Sequence, residues 1–147
     1  MKTLDWTIRS EEDWDIPAEF LAQALKPGDL MWLFGSMGVG KTTLVQRICK
    51  FMGCMESIQS PSFAIMNQYL CKGTIVYHAD LYRIEHEDEL WDTGIYPLLD
   101  ASSGIFFVEW PQRIPERIRA QYEPAFNANL DLLPDYERSF HLILPER

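Results

Sequence analysis

The stretch LMWLFGSMGVGKTT, from Leu30 to Thr43, passes from an unbroken apolar run to three glycines and then a lysine. Asp29 to Phe34 shows no alternation between apolar and polar positions, which predicts a strand buried on both faces. Gly35-Ser36-Met37-Gly38-Val39-Gly40-Lys41-Thr42 then satisfies the pattern G-x-x-x-x-G-K-[ST] in full. That pattern carries a mechanism when a buried strand precedes it and a helix follows. A loop that wraps a phosphate must turn its N–H groups inward, through backbone angles that side chains disfavour. Gly35, Gly38 and Gly40 permit those angles. The loop amides and the helix N-terminus together make an anion cradle. In this reading Lys41 neutralises the β and γ phosphates, Thr42 offers its hydroxyl to Mg²⁺ and Thr43 meets the α-phosphate. The bland alternative is a glycine-rich turn with an incidental lysine. A dinucleotide fingerprint is excluded, because the glycines read G-x-x-G-x-G and Lys41 would crowd the ligand.

Upstream, LDWTI alternates and predicts a first strand. Ser10 is placed to cap a helix through EEDWDIPAEFLAQAL, whose regular part begins near Pro17. Downstream, Leu44, Val45, Ile48 and Phe51 recur at helical spacing, and Gly53 closes that helix. FAIMNQYL and TIVYHA flank the short turn CKG and predict an antiparallel hairpin. HEDELWDTG reads as a short helix ending at Gly94, and GIFFVEW as another buried strand. FNANLDLL and RSFHLIL predict a second hairpin around PDYE. Neither a repeat nor a linker interrupts the chain, so residues 1–147 are expected to form one domain. The fold class is α/β: three layers around a mixed, mostly parallel central sheet with antiparallel hairpins at its edges.

Phosphoryl transfer needs an acid near Mg²⁺ and a group that orients the nucleophile. Asp80 closes TIVYHAD and Glu109 closes GIFFVEW. Strand carboxyl ends are where α/β folds bind ligands. One of the two carboxylates is expected to hold Mg²⁺ and the other to orient the attacking water; the sequence does not divide these roles. Either is otherwise a solvated strand end. His78 shares a strand face with Asp80 and is placed to steady it, or is a structural histidine. Arg83 is read as a phosphate clamp or as an ion-pair partner of Glu85 or Glu87. Ser62, in the segment Ser60 to Phe63, is read as a switch-like contact to the γ-phosphate. Arg113, Arg117 and Arg119 form either a lid over phosphates or a solvated helix face or docking patch. Trp110 is either a stacking surface for a base or partner, or a core tryptophan. The acids between Glu85 and Asp92 read as a wet helix surface.

The chain of 147 residues is 47% hydrophobic and 24% charged, an ordinary globular composition. Its net charge of −9 argues against nucleic acid as a direct ligand and suits a basic partner surface. No apolar run is long enough to span a membrane, and the first residues lack a signal-peptide core. Cys49, Cys54 and Cys71 lack metal-site spacing and read as reduced thiols of a cytoplasmic protein.

GSMGVGKTT, SPSF, HADLYR, ELWDTG and FFVEW, in that order, resemble the TsaE (YjeE) family, small bacterial ATPases of tRNA threonylcarbamoyladenosine modification. The resemblance covers roughly Pro27 to Pro111. It implies a P-loop fold, ATP and Mg²⁺ as ligands, and TsaB and TsaD as partners, with tRNA met only through that complex. It further implies that the ATPase binds and resets the complex between turnovers. Lys41, Thr42, Asp80 and Glu109 match the family's nucleotide and magnesium positions. Ser60 and Ser62 match its switch-like loop, where the family usually has threonine at the place of Ser62. Trp110 matches a residue tied to activity. Two rival readings share the loop: a small-molecule or nucleotide kinase, and a nucleotide-gated binding module that hydrolyses little.

Overall fold

A computed structural model describes residues 2–55, 65–101 and 103–146. In chain order the elements are β1 (Lys2–Ile8), α1 (Asp15–Ala24), β2 (Leu30–Phe34), α2 (Lys41–Phe51), β3 (Met66–Cys71) and β4 (Thr74–Asp80). They continue with α3 (Glu87–Asp92), α4 (Ile95–Ala101), β5 (Ile105–Glu109), α5 (Glu116–Arg119), β6 (Phe126–Leu132) and β7 (Arg138–Leu144). Short 3₁₀ turns fill several connections, including Glu11–Trp14 before α1. Ser10 caps that turn, not the α-helix, and its N–H donates to the Asp13 carboxylate at 3.2 Å. α1 then begins at Asp15, so Pro17 lies in its first turn, where no backbone N–H is needed.

The described strands form one seven-stranded sheet in the order β1-β7-β6-β2-β5-β4-β3. β6, β2, β5 and β4 run parallel to their neighbours in the centre, while β7, β1 and β3 add antiparallel edges. Both expected hairpins are present. The first turns on Lys72 and Gly73, both at positive φ, the geometry that a two-residue hairpin turn requires.

Strand alternation sorts the core into two faces. Met31, Leu33, Phe107, Phe126 and Leu130 pack with Leu21 of α1 and Leu44, Val45 and Ile48 of α2. On the opposite face Trp32, Tyr77, Phe106 and Val108 pack with Leu90, Ile95 and Leu99 of α3 and α4. Helices thus cover both sides of the sheet, giving the expected three layers. α4 was not expected from the sequence: Gly94 ends α3 at φ 79°, and the chain re-enters a helix at once.

One expectation is overturned. Cys54 and Cys71, read as reduced thiols, are joined by a disulfide. α2 ends in a Schellman motif, with Cys54 N–H bonded to Cys49 carbonyl at 3.1 Å and Gly53 N–H to Lys50 carbonyl at 3.1 Å. That reversal, with Gly53 at φ 77°, swings Cys54 back against the end of β3, where Cys71 lies. Cys49 stays free and buried. No helix among the described residues is long and apolar enough to cross a membrane.

Candidate functional site

β2, β5 and β4 are adjacent parallel strands whose carboxyl ends lie level. Leu33 pairs with Glu109, and Glu109 pairs with Asp80. The glycine loop leaves β2 at this edge and α2 starts at Lys41. Gly40 is the residue before the helix, at φ 117°, and a Cβ there would lie 2.4 Å from the Trp14 ring. Both the backbone angle and the indole behind it exclude a side chain. Val39 points its side chain into the core, fully buried.

A cavity of about 230 Å³ opens at this place, lined by Met37, Gly38, Gly40, Lys41, Thr42, Thr43, Asp80, Tyr82, Glu109 and Trp110. Thr42 Oγ1 donates to Glu109 Oε2 at 2.8 Å. The Lys41 ammonium donates to the Gly35 carbonyl and, at 3.2 Å, to the Ser36 carbonyl. It also lies 4.3 Å from the centre of the Trp110 ring. Burial lowers the Lys41 pKa below the ordinary lysine range, against the opposing pull of Glu109 and Asp80. Asp80 is displaced the other way: burial raises its pKa, and the Glu109 charge adds to this against the Tyr82 N–H bond, His78 and Lys41. Tyr82 N–H donates to Asp80 Oδ1 at 3.0 Å.

His78 is fully buried, and its Nε2 lies 2.6 Å from Glu109 Oε2. The hydrogen bond by which it was expected to steady Asp80 therefore goes to Glu109 instead. His78 sits opposite Phe107 in the register, so its ring reaches diagonally to the β5 residue two places on. One carboxylate oxygen of Glu109 accepts from both Thr42 and His78. The Glu109 side chain is thereby fixed toward the start of α2.

Trp110 has a left-handed backbone, φ 57° and ψ 49°, rare for a bulky residue. It turns the chain sharply after Glu109 and sets the indole over Lys41, with Tyr82 tilted against it at 5.0 Å between ring centres. Tyr82 was not singled out as a lining residue. Its place two residues beyond a strand-end acid is the signal that would have found it.

The arginines are engaged outside the cavity, although Arg113 lies behind its wall, 5.8 Å from the centre of the Trp110 ring. Arg117 pairs with Glu87 at 2.7 Å, Arg119 donates to the Ile114 carbonyl at 3.0 Å, and Arg113 to the Tyr82 carbonyl at 3.2 Å. Arg83 lines a separate groove beside α3. None of these four lines the cavity that holds Lys41. Ser60 and Ser62 lie outside the described residues.

Among the described residues no three His, Cys, Asp or Glu side chains form a cation cage. Magnesium does not need one: it keeps waters and takes one or two carboxylates together with the phosphates of its nucleotide. A threonine hydroxyl beside a buried carboxylate fits that donor set.

Comparison with known proteins identifies the family. The family model described as threonylcarbamoyl adenosine biosynthesis protein TsaE matches residues 8–138. A curated relative from Rickettsia conorii, a tRNA threonylcarbamoyladenosine biosynthesis protein TsaE, is 33% identical over 93% of this chain and 76% of its own length. One of the same name from Bacillus subtilis is 34% identical over 80% of this chain and 73% of its own length. The crystal structure of B. subtilis YdiB superposes with a TM-score of 0.68 at 25% identity, covering 99% of this chain and 87% of that one. With a match running from the end of β1 to the start of β7, this chain belongs to the TsaE family.

Proposed function

We propose that the chain is a Mg²⁺-dependent ATPase of the tRNA threonylcarbamoyladenosine system, yielding ADP and phosphate with water as nucleophile. The observation that carries the reading is the Thr42–Glu109 hydrogen bond of 2.8 Å inside the cavity lined by the glycine loop. It joins a phosphate-loop hydroxyl to a strand-end carboxylate, the pairing that phosphoryl-transfer sites use.

The contacts support the following division of roles. The amides of the loop and the start of α2 receive the triphosphate, and Lys41 leaves its loop carbonyls to meet the β and γ oxygens. Thr42 and Glu109 are the residues that would hold Mg²⁺, which when bound supplies positive charge to those oxygens. Asp80, at the same level on the next strand and only half-buried, orients the attacking water. Trp110 and Tyr82 wall the cavity against solvent.

Lys41 is the only cation lining the cavity among the described residues. Phosphoryl transfer gains about 10³–10⁵-fold from an arginine that meets the transferring group. Turnover by the chain alone should therefore be slow, and a partner should raise it. The family resemblance points to TsaB and TsaD as those partners, and the net charge of −9 suits a basic docking face.

The test incubates the purified chain with labelled ATP, Mg²⁺ and a panel of nucleosides. Free phosphate is the expected product, and Glu109→Gln should abolish its release while ATP still binds. A phosphorylated acceptor would establish the kinase reading instead. Undiminished phosphate release by the Gln variant would overturn the assignment of Glu109.

A further inference from the structure

We infer that Arg138, the first residue of β7, is a positioning residue that sets the amides of the phosphate loop from behind. The inference rests on the reading of residues 35–43 as a nucleotide cradle. Arg138 lies almost a hundred residues beyond the loop in sequence. In the sheet it starts the strand whose register places it opposite Leu132 of β6 and Ile8 of β1. Its side chain leaves the hairpin and reaches the loop. Nε donates to the Val39 carbonyl at 2.9 Å, Nη2 to the Gly38 carbonyl at 3.5 Å and Nη1 to the Tyr136 carbonyl at 2.9 Å. Each of the three bonds ends on a main-chain oxygen.

The consequence comes from the peptide unit. A trans peptide is planar, so its C=O and N–H point in opposite directions. Drawing the Val39 carbonyl toward Arg138 turns the Gly40 N–H away from it, toward the side where Gly38, Gly40 and Lys41 line the cavity. Gly40 needs such a constraint, because glycine leaves its own peptide planes free to rotate. The Trp14 ring leaves no room for a side chain at Gly40 but does not choose which way the amide faces. The guanidinium makes that choice. As a charged donor it also polarises the Val39–Gly40 amide and strengthens its N–H as an anion donor. Lysine would keep the charge and lose the fork that spans two loop carbonyls.

The test measures Mg-ADP affinity by calorimetry for the wild-type chain, Arg138→Met and Arg138→Lys, with amide NMR spectra of each free protein. One misdirected amide facing a phosphate should weaken ADP by about tenfold or more in R138M. R138K should recover only part of that loss. The Gly40 amide resonance should move in both variants before any nucleotide is added, a change that an arginine merely tying down the hairpin would not cause. ADP affinity within twofold of wild type in R138M overturns the inference. If R138M does not fold, R138K decides on the same scale: weakened binding with a shifted Gly40 resonance upholds the inference, and wild-type affinity overturns it. A wild-type chain that binds no ADP would overturn the cradle reading itself, and this inference with it.

Discussion

Lys41 is a cation that the fold has almost removed from water, with 5% of its surface exposed. Its charge is supported by two loop carbonyls, an indole face and two nearby carboxylates, all of which a triphosphate would rival. In the proposed reading Lys41→Ala removes the charge that would face the β and γ phosphates. ATP should raise the melting temperature of the wild type, and in the variant that rise should largely vanish in a thermal-shift assay. An undiminished rise would mean that ATP sits elsewhere. His78 makes a different prediction. It is fully buried, and its removal leaves Glu109 without one of its two partners and opens a cavity beside Phe107. His78→Ala should cost about 2–4 kcal/mol of stability, read from the urea midpoint. At this scale the loop, Lys41, Thr42 and both strand-end acids were legible, because each sits at a place that its own neighbours in sequence define. The partner of His78 was not. Two-residue periodicity says which face a side chain shares along its own strand, and nothing about which side chain the next strand brings beside it.

α2 joins the site to the rest of the molecule. Its first turn carries Lys41 and Thr42, its buried stripe of Leu44, Val45 and Ile48 anchors it on the sheet, and its last turn delivers Cys54 to Cys71. The helix and its stop at Gly53 were legible from apolar spacing and a single glycine. The disulfide was not, since its cysteines stand 17 positions apart with no motif between them. α4 was missed for another reason. Ile95 to Ala101 is short, contains Pro97, and follows a glycine that already marks a helix end. The cysteines give a direct check. Burial pushes the Cys49 thiol up to about 12, so it carries almost no thiolate near neutral pH. Labelling with iodoacetamide should therefore modify no cysteine in the native oxidised chain. It should modify one after unfolding in denaturant, and three after unfolding with reduction. Two labels on unfolding without reductant are excluded by the disulfide, and three would mean that it had not formed.

The sheet order is the least local feature of the molecule. β2, which carries the phosphate loop, lies between β5 and β6, and β6 joins it to β7 and β1. Sequence reading found both hairpins but had no means of placing the second one beside β2, since strand adjacency across a crossover leaves no short-range mark. That placement makes the last hairpin part of the core: Phe126, Leu130, Phe140 and Leu142 are all buried within the α1/α2 face. A chain ending at Ala125 would lose those side chains, bare one edge of β2 and strip β1 of its partner β7. It should show no cooperative thermal transition by circular dichroism and should bind a hydrophobic dye, whereas the full chain should melt in a single step. A truncated chain that melts like the full one would refute this.

The neighbours of β2 also fix a timetable for synthesis. A polypeptide leaves the ribosome N-terminus first, so the glycine loop emerges long before the strand at Phe126–Leu132 that flanks β2. Until that late strand arrives, the nascent chain holds the whole glycine motif on a half-paired strand. The strand that leads into the glycine loop therefore gains its second neighbour only after Phe126–Leu132 has been made, most of a hundred residues later.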